Sequence, residues 1–186
     1  MYKNKSIKKY LDDLAAKLPA PGGGSAAALA GALGAALMSM VCNFTLGKEK
    51  YKDVQADLER IIAQTEQLRE ELLELVDLDV EAYNSKDINR CLDVPKRVCE
   101  CCLEAMHLCS ALAKKGNPNL ASDVLCAAIL LESGFSSAYV NVLINLKFLK
   151  DKQRKDKILT NFKPLLKEIS KKRKRVEKDV RKIIGR

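Results

Sequence analysis

The sequence predicts an all-α protein, a bundle of about six helices with two or three of them long. Apolar residues recur at steps of three and four from Val54 to Ala82, the period that keeps one helix face inward. The composition points the same way: no Trp, 5% aromatic residues, five prolines and much Ala, Leu, Lys and Glu, a helix-forming mixture. At 186 residues and 47% hydrophobic content the chain can build one core, and residues 1–186 are read as a single domain.

Residues 5–18 form a first short helix with Ile7, Tyr10, Leu11, Leu14 and Leu18 on one face, and Pro19 and Pro21 end it. The stretch PAPGGGSAAALAGALGAALMSMVCNFTLG follows. Gly22, Gly23 and Gly24 have no Cβ, so their N–H groups can face a ligand or a neighbouring chain. Ser25 is placed to N-cap the next helix, whose first-turn amides carry partial positive charge. The loop is either a tight helix corner or a cradle for an anion or carbonyl; it matches neither the dinucleotide glycine pattern nor the phosphate loop.

The helix from Ser25 to Leu46, closed by Gly47, carries no charge. Its length is that of a membrane span. Ala and Gly dominate it, however, Ser25, Ser39, Asn43 and Thr45 punctuate it, and Ala27, Gly31 and Ala35 lie four apart. That stripe permits close backbone approach, so the helix is read as a buried central element at a subunit contact and no membrane is expected.

The third helix, about 52–84, is the most informative. Its stripe runs through Val54, Leu58, Ile61, Leu68, Leu72, Leu75 and Ala82, and is broken at Thr65 and Asp79. Asp77 and Glu81 fall off the stripe and are read as solvated. An unpartnered carboxylate facing a core costs several kcal/mol, so Asp79 must be salt-bridged, protonated or at a polar cavity.

After a break at Asn84–Asn89, a fourth helix is expected from about Asp93 to Lys115. Cys99, Cys102 and His107 in it lack the two-element spacing of a structural zinc site, so no metal is expected and His107 is read as a surface residue. The seven cysteines, an odd number, read as reduced thiols. The N-terminus MYKNKSIKKYLDDL has no apolar signal core, so the protein is expected in the cytoplasm.

Gly116-Asn117-Pro118 ends that helix, Asn119 or Ser122 caps the fifth, and Asp123 falls in its first turn, where the dipole favours negative charge. Residues 120–149 are apolar nearly all round, except for a row of Ser133, Ser137, Asn141 and Asn145. A buried polar row must be hydrogen-bonded, to other helices or to a ligand. Past Lys150–Lys157, Pro164 starts or kinks a last helix with Leu165, Ile169, Val176, Val180 and Ile183 as its stripe. From Lys147 to Arg186 there are 17 Lys and Arg against 5 Asp and Glu, whereas residues 1–146 carry 16 against 19. The run KKRKR at 171–175 is a solvated face or an attractor of polyanions; no aromatic residues interleave it, so a nucleic-acid partner is not expected.

The blocks PAPGGGSAAALAGALGAALMSMVCNFTLGKEKY, LVDLDVEAY, VPKRVCECC, GNPNLASDVLCAA and NVLINL occur in this order. Over about residues 5–150 the chain resembles the formimidoyltetrahydrofolate cyclodeaminase / methenyltetrahydrofolate cyclohydrolase family. The resemblance implies an all-α homodimer with a folate pocket near the subunit contact and the glycine loop. Chemistry would fall on the one-carbon bridge between N5 and N10, with a tetrahydrofolate derivative, polyglutamylated in some forms, as substrate and no cofactor. The family's DAEAF-like motif supplies the catalytic acid, which falls on Asp79 in VDLDVEAY. Gly22, Gly23, Gly24, Ser25, Asp123, Asn141 and Asn145 are the implied substrate-binding residues. Cyclodeaminase activity is the first expectation, cyclohydrolase the alternative. One departure is the connection NSKDINRCLD, shorter than the family's usual one, which leaves a non-catalytic folate-binding dimer as a further reading.

Overall fold

The computed structural model describes residues 1–185. Among the described residues there is no strand, and six α-helices follow in order: α1 (Ile7–Ala15), α2 (Gly23–Asn43), α3 (Gln55–Ser85), α4 (Ile88–Lys115), α5 (Ala121–Leu146) and α6 (Lys152–Ile183). Short 3-10 segments stand at Tyr2–Asn4, Glu49–Val54 and Pro118–Leu120.

The small-residue helix α2 is central, with α3, α4 and α5 packed around it. Its glycines explain how three neighbours fit. A Cβ on Gly31 would stand 2.8 Å from Cys102 Sγ in α4 and 3.0 Å from Leu72 Cδ2 in α3. Across α5, a Cβ on Gly134 would stand 3.0 Å from the Ala27 carbonyl oxygen and 3.1 Å from Gly31 N. The α2 and α5 backbones therefore touch, running antiparallel, with Gly34 against Leu131 at one end and Gly23 against Asn141 at the other. Both helices are long and apolar enough to cross a membrane by length and composition, but 61% of the α2 window is buried inside the chain itself.

Several boundaries and faces differ from the sequence reading. In α1 only Tyr10 is buried; Ile7 is 78% exposed and Leu11 53%, because this nine-residue helix meets the bundle through Tyr10, whose hydroxyl lies 3.2 Å from Ser25 Oγ, with Leu14 partly buried beside it. Ser25 does not cap α2. The helix starts two residues earlier with Gly22 as N-cap, and it ends at Asn43, with Gly47 at φ +73 in the turn beyond. Asp77 is not solvated but 4% exposed. The N-terminal turn folds over α3, and the Tyr2 and Lys3 amides donate to the Asp77 carboxylate, an N-cap supplied from another element.

The fourth helix begins at Ile88, not Asp93, because Asp87 caps it by accepting from Asn89 N at 2.8 Å, and Pro95 lies inside it. The sixth begins at Lys152 behind an Asp151 cap and continues through Pro164. These extensions make α3, α4, α5 and α6 31, 28, 26 and 32 residues long, so the long helices outnumber the two or three expected. Thr65, the first break in the α3 stripe, is satisfied within its own helix, its hydroxyl donating to the Ile61 carbonyl at 2.6 Å. His107 is exposed and pairs with Glu168 at 2.9 Å.

Candidate active site

The second break in the stripe, Asp79, faces the glycine loop. Its Oδ2 accepts a 2.8 Å hydrogen bond from the Ser25 amide, an N–H in the first turn of α2. Asp79 thus does for α2 what Ser25 was expected to do, from 54 residues away. Gly24 makes this possible: a Cβ there would stand 2.7 Å from Asp79 Cγ. The loop is a cradle, and its occupant is the protein's own carboxylate.

Among the described residues Asp79 has no salt-bridge partner, and its pKa is raised above the ordinary aspartate value. Burial is the main cause, and the Ser25 amide pulls against it. A carboxyl in this state holds a proton closer to neutral pH than an exposed aspartate does. Oδ1 has no hydrogen-bond donor among the described residues, so the carboxyl keeps one oxygen for a ligand or a proton.

Asp79 lines a pocket of about 210 Å³ whose other walls are Pro19, Ala20 and the three glycines, Ala82 and Tyr83 from α3, Cys91 from α4, and Asn141 and Asn145 from α5. Five of the expected residues, Gly22, Gly23, Gly24, Asn141 and Asn145, therefore stand round Asp79. Ser25 joins them through its backbone only, its side chain being turned away to Tyr10. Asp123 does not join them. It sits in the first turn of α5, about 27 Å along the helix from Asn141 at the α-helical rise.

The polar row of α5 divides in two. Ser133 and Ser137 are exposed, while Asn141 and Asn145 are partly covered, because the glycine loop lies over only the last turns of α5. The Asn141 Nδ2 donates to the Ser137 carbonyl at 2.9 Å, and the Asn145 Nδ2 donates to the Cys91 carbonyl at 2.6 Å. Both residues line the pocket, and neither Oδ1 receives a hydrogen bond among the described residues.

Tyr83 and Cys91 are pocket residues that the sequence reading passed over. Tyr83 could have been found, since it stands one helical turn after Asp79 on the same face. Cys91 gives no local signal; burial and the nearby Asp79 charge push its thiol pKa up. The other buried thiols, Cys42, Cys99, Cys101, Cys102 and Cys109, are pushed up by burial alone or chiefly so, as expected of cysteines used for packing. The KKRKR run contributes Lys171, Lys172 and Arg175 to a basic groove with Lys114 and Lys115, of about 570 Å³. That groove lies about 35 Å from Cys91 along α4 at the α-helical rise.

In this helical bundle a half-buried carboxyl set against a helix N-terminus and open to a small pocket has the chemistry to exchange a proton with a bound small molecule. The chain belongs to the formiminotransferase-cyclodeaminase family, whose model matches residues 6–86 and 85–164. The two stretches meet at the short α3–α4 turn, where Lys86 takes the left-handed conformation at φ 57. A methenyltetrahydrofolate cyclohydrolase of Methylorubrum extorquens is 37% identical over 89% of this chain and 90% of its own length. A formimidoyltransferase-cyclodeaminase of Rattus norvegicus is 32% identical over 88% of this chain but only 34% of its own length. The crystal structure of a formiminotetrahydrofolate cyclodeaminase from Thermotoga maritima superposes with a TM-score of 0.93 at 34% identity, covering 99% of this chain and all of that one.

Proposed function

We propose that this chain acts at the N5–N10 bridge of a tetrahydrofolate derivative, as a formimidoyltetrahydrofolate cyclodeaminase with Asp79 as proton donor. One observation carries the reading: the Asp79 carboxyl is unpaired, has a raised pKa and opens to the pocket with one oxygen free. In the reaction, N10 attacks the formimidoyl carbon and the N10 proton passes to the former imine nitrogen. A further proton, from Asp79, lets that nitrogen leave as ammonia and the 5,10-methenyl product form. General acid catalysis of this kind contributes about 10² to 10⁴ in rate. The Gly23 and Gly24 amides and the Asn141 oxygen orient the pterin and stabilise developing charge, and Asn145 stands beside them in the pocket wall. No atom changes oxidation state, so the scheme calls for no redox cofactor, and protonation by Asp79 takes the part a metal would play.

A second reading, methenyltetrahydrofolate cyclohydrolase, is favoured by the Methylorubrum relative, which matches over nearly its whole length. There Asp79, ionised, helps water add to the methenyl carbon. The two readings differ in the sign of their pH dependence. Ring closure needs the protonated carboxyl, so its rate falls as pH rises through the raised Asp79 pKa; water addition needs the carboxylate and rises through the same point. Following the methenyl chromophore from 5-formimidoyltetrahydrofolate and from methenyltetrahydrofolate decides between them. Asp79→Asn is expected to lose about 10²-fold or more in either direction while still folding. An unchanged rate rejects Asp79 as the donor, and no turnover of either compound by the parent leaves a folate-binding protein, to be tested by equilibrium binding.

The same proposal takes the protein as a cytoplasmic homodimer. Leu33 on α2 and Ile129, Val140 and Ile144 on the adjoining face of α5 are exposed, an apolar surface suited to a second copy.

A further inference from the structure

Pro95 lies inside α4. A proline at that position has no N–H to offer the carbonyl four residues before it, and its ring crowds that carbonyl outward. The residue four before Pro95 is Cys91, one wall of the pocket. Its carbonyl has therefore lost its helical donor, and a partly buried carbonyl without a donor is costly. The missing donor comes from α5: the Asn145 Nδ2 stands 2.6 Å from Cys91 O. Only the amide nitrogen fits this contact, since turning the side chain over would set oxygen against oxygen.

The same first turns of α4 are held from the other side. The Arg154 Nη1 of α6 donates to Asn89 Oδ1 at 2.5 Å, and its Nη2 stands 3.8 Å from Asp93 Oδ1. Helix α4 thus enters the bundle pinned by α5 on its pocket side and by α6 behind.

We propose that Asn145 is a positioning residue: its side-chain amide replaces the backbone donor that Pro95 lacks, and so fixes the Cys91 wall of the pocket opposite Asp79. This separates the two asparagines of α5. Asn141, whose amide bonds within its own helix, presents itself to a ligand unaided, whereas Asn145 acts first through Cys91.

The test is a double-mutant cycle between Asn145→Leu and Pro95→Ala. Alanine at 95 restores the helical N–H to the Cys91 carbonyl, so loss of the Asn145 amide then leaves nothing unsatisfied. The kinetic arm rests on the folate activity proposed above. In the parent, Asn145→Leu is expected to raise KM about tenfold with kcat within about twofold, since a pocket wall serves ground state and transition state alike. On the Pro95→Ala background the rise is expected to shrink to about twofold or less. Equal rises in both backgrounds, or a fall in kcat at constant KM, overturn the proposal, the latter because it means contact with the reacting atoms. Asn145→Asp, which sets an acceptor against the carbonyl at nearly constant volume, carries the cycle where the leucine variant does not fold. Where the parent turns over no folate, the activity reading fails while the clamp is still read from urea midpoints: the two substitutions must then be non-additive, and additivity overturns it.

Discussion

Gly24 has no side chain because Asp79 occupies the place where one would stand. An alanine there gains about 1 kcal/mol or less of helix propensity. It drives the carboxyl out of the cradle and breaks the Ser25–Asp79 bond, a hydrogen bond to a charged group of about 1.5–3 kcal/mol. The clash wins, so Gly24→Ala is expected to lower stability by about 1–2 kcal/mol in urea unfolding. It should also slow turnover at least about tenfold, because a displaced donor no longer reaches the leaving nitrogen. Full activity in a stable Gly24→Ala variant would show that the cradle does not place the acid. At this scale the sequence was most legible where a residue contradicted its own helix. Asp79 stood out because leucine was due at that position of the stripe. Asp77 was misread because the amides it receives belong to Tyr2 and Lys3, and no pattern within α3 announces them. Asn145 lines the pocket, but its bond depends on a proline in another helix.

Among whole helices the governing contact is the crossing of α2 and α5, where Gly134 meets Gly31 and the Ala27 carbonyl. Gly134→Ala tests it. Alanine in a helix interior improves propensity by about 1 kcal/mol, whereas overpacking a well-filled contact costs about 1–3 kcal/mol. The obstructing atoms here are backbone N and O, which cannot rotate aside. The expected outcome is net destabilisation of about 1–2 kcal/mol, seen as a lowered Tm; a stabilised variant would mean that the helices separate freely. The small-residue stripe made α2's central place readable from the chain alone. Helix ends were less readable because the Asp87 and Asp151 caps that start α4 and α6 were not recognised, and Pro164 was read as starting or kinking the last helix. Pro95 and Pro164 both lie inside helices. In α4 a side chain from α5 replaces the lost hydrogen bond. In α6 the stripe of Phe162, Ile169, Val176 and Val180 stays buried on both sides of the proline. Tertiary contacts outweigh the local preference, and a single-sequence pattern does not contain them.

For the whole molecule, the outer face of α2 and α5 is an apolar surface that the described residues leave uncovered. Val140 is 62% exposed, and Leu33, Ile129 and Ile144 share its side of the bundle. A twofold axis through such a face pairs each residue with its own kind or a close neighbour, so one substitution acts twice in every dimer. Val140→Glu buries two carboxylates in an apolar contact where neither has a partner, and each costs several kcal/mol. The parent is expected to sediment at twice the 20.6 kDa chain mass, and Val140→Glu at the chain mass itself, with α-helical content unchanged. A parent that sediments at 20.6 kDa, or a variant that stays paired, removes this face as the interface. The consequence reaches the pocket, because Val140 and Asn141 are adjacent on α5 and Ile144 precedes Asn145. A partner seated on Val140 and Ile144 fixes the rotation of α5 about its axis, and with it the direction of both asparagine side chains. The monomeric variant is therefore expected to bind substrate more weakly even though it alters no pocket residue.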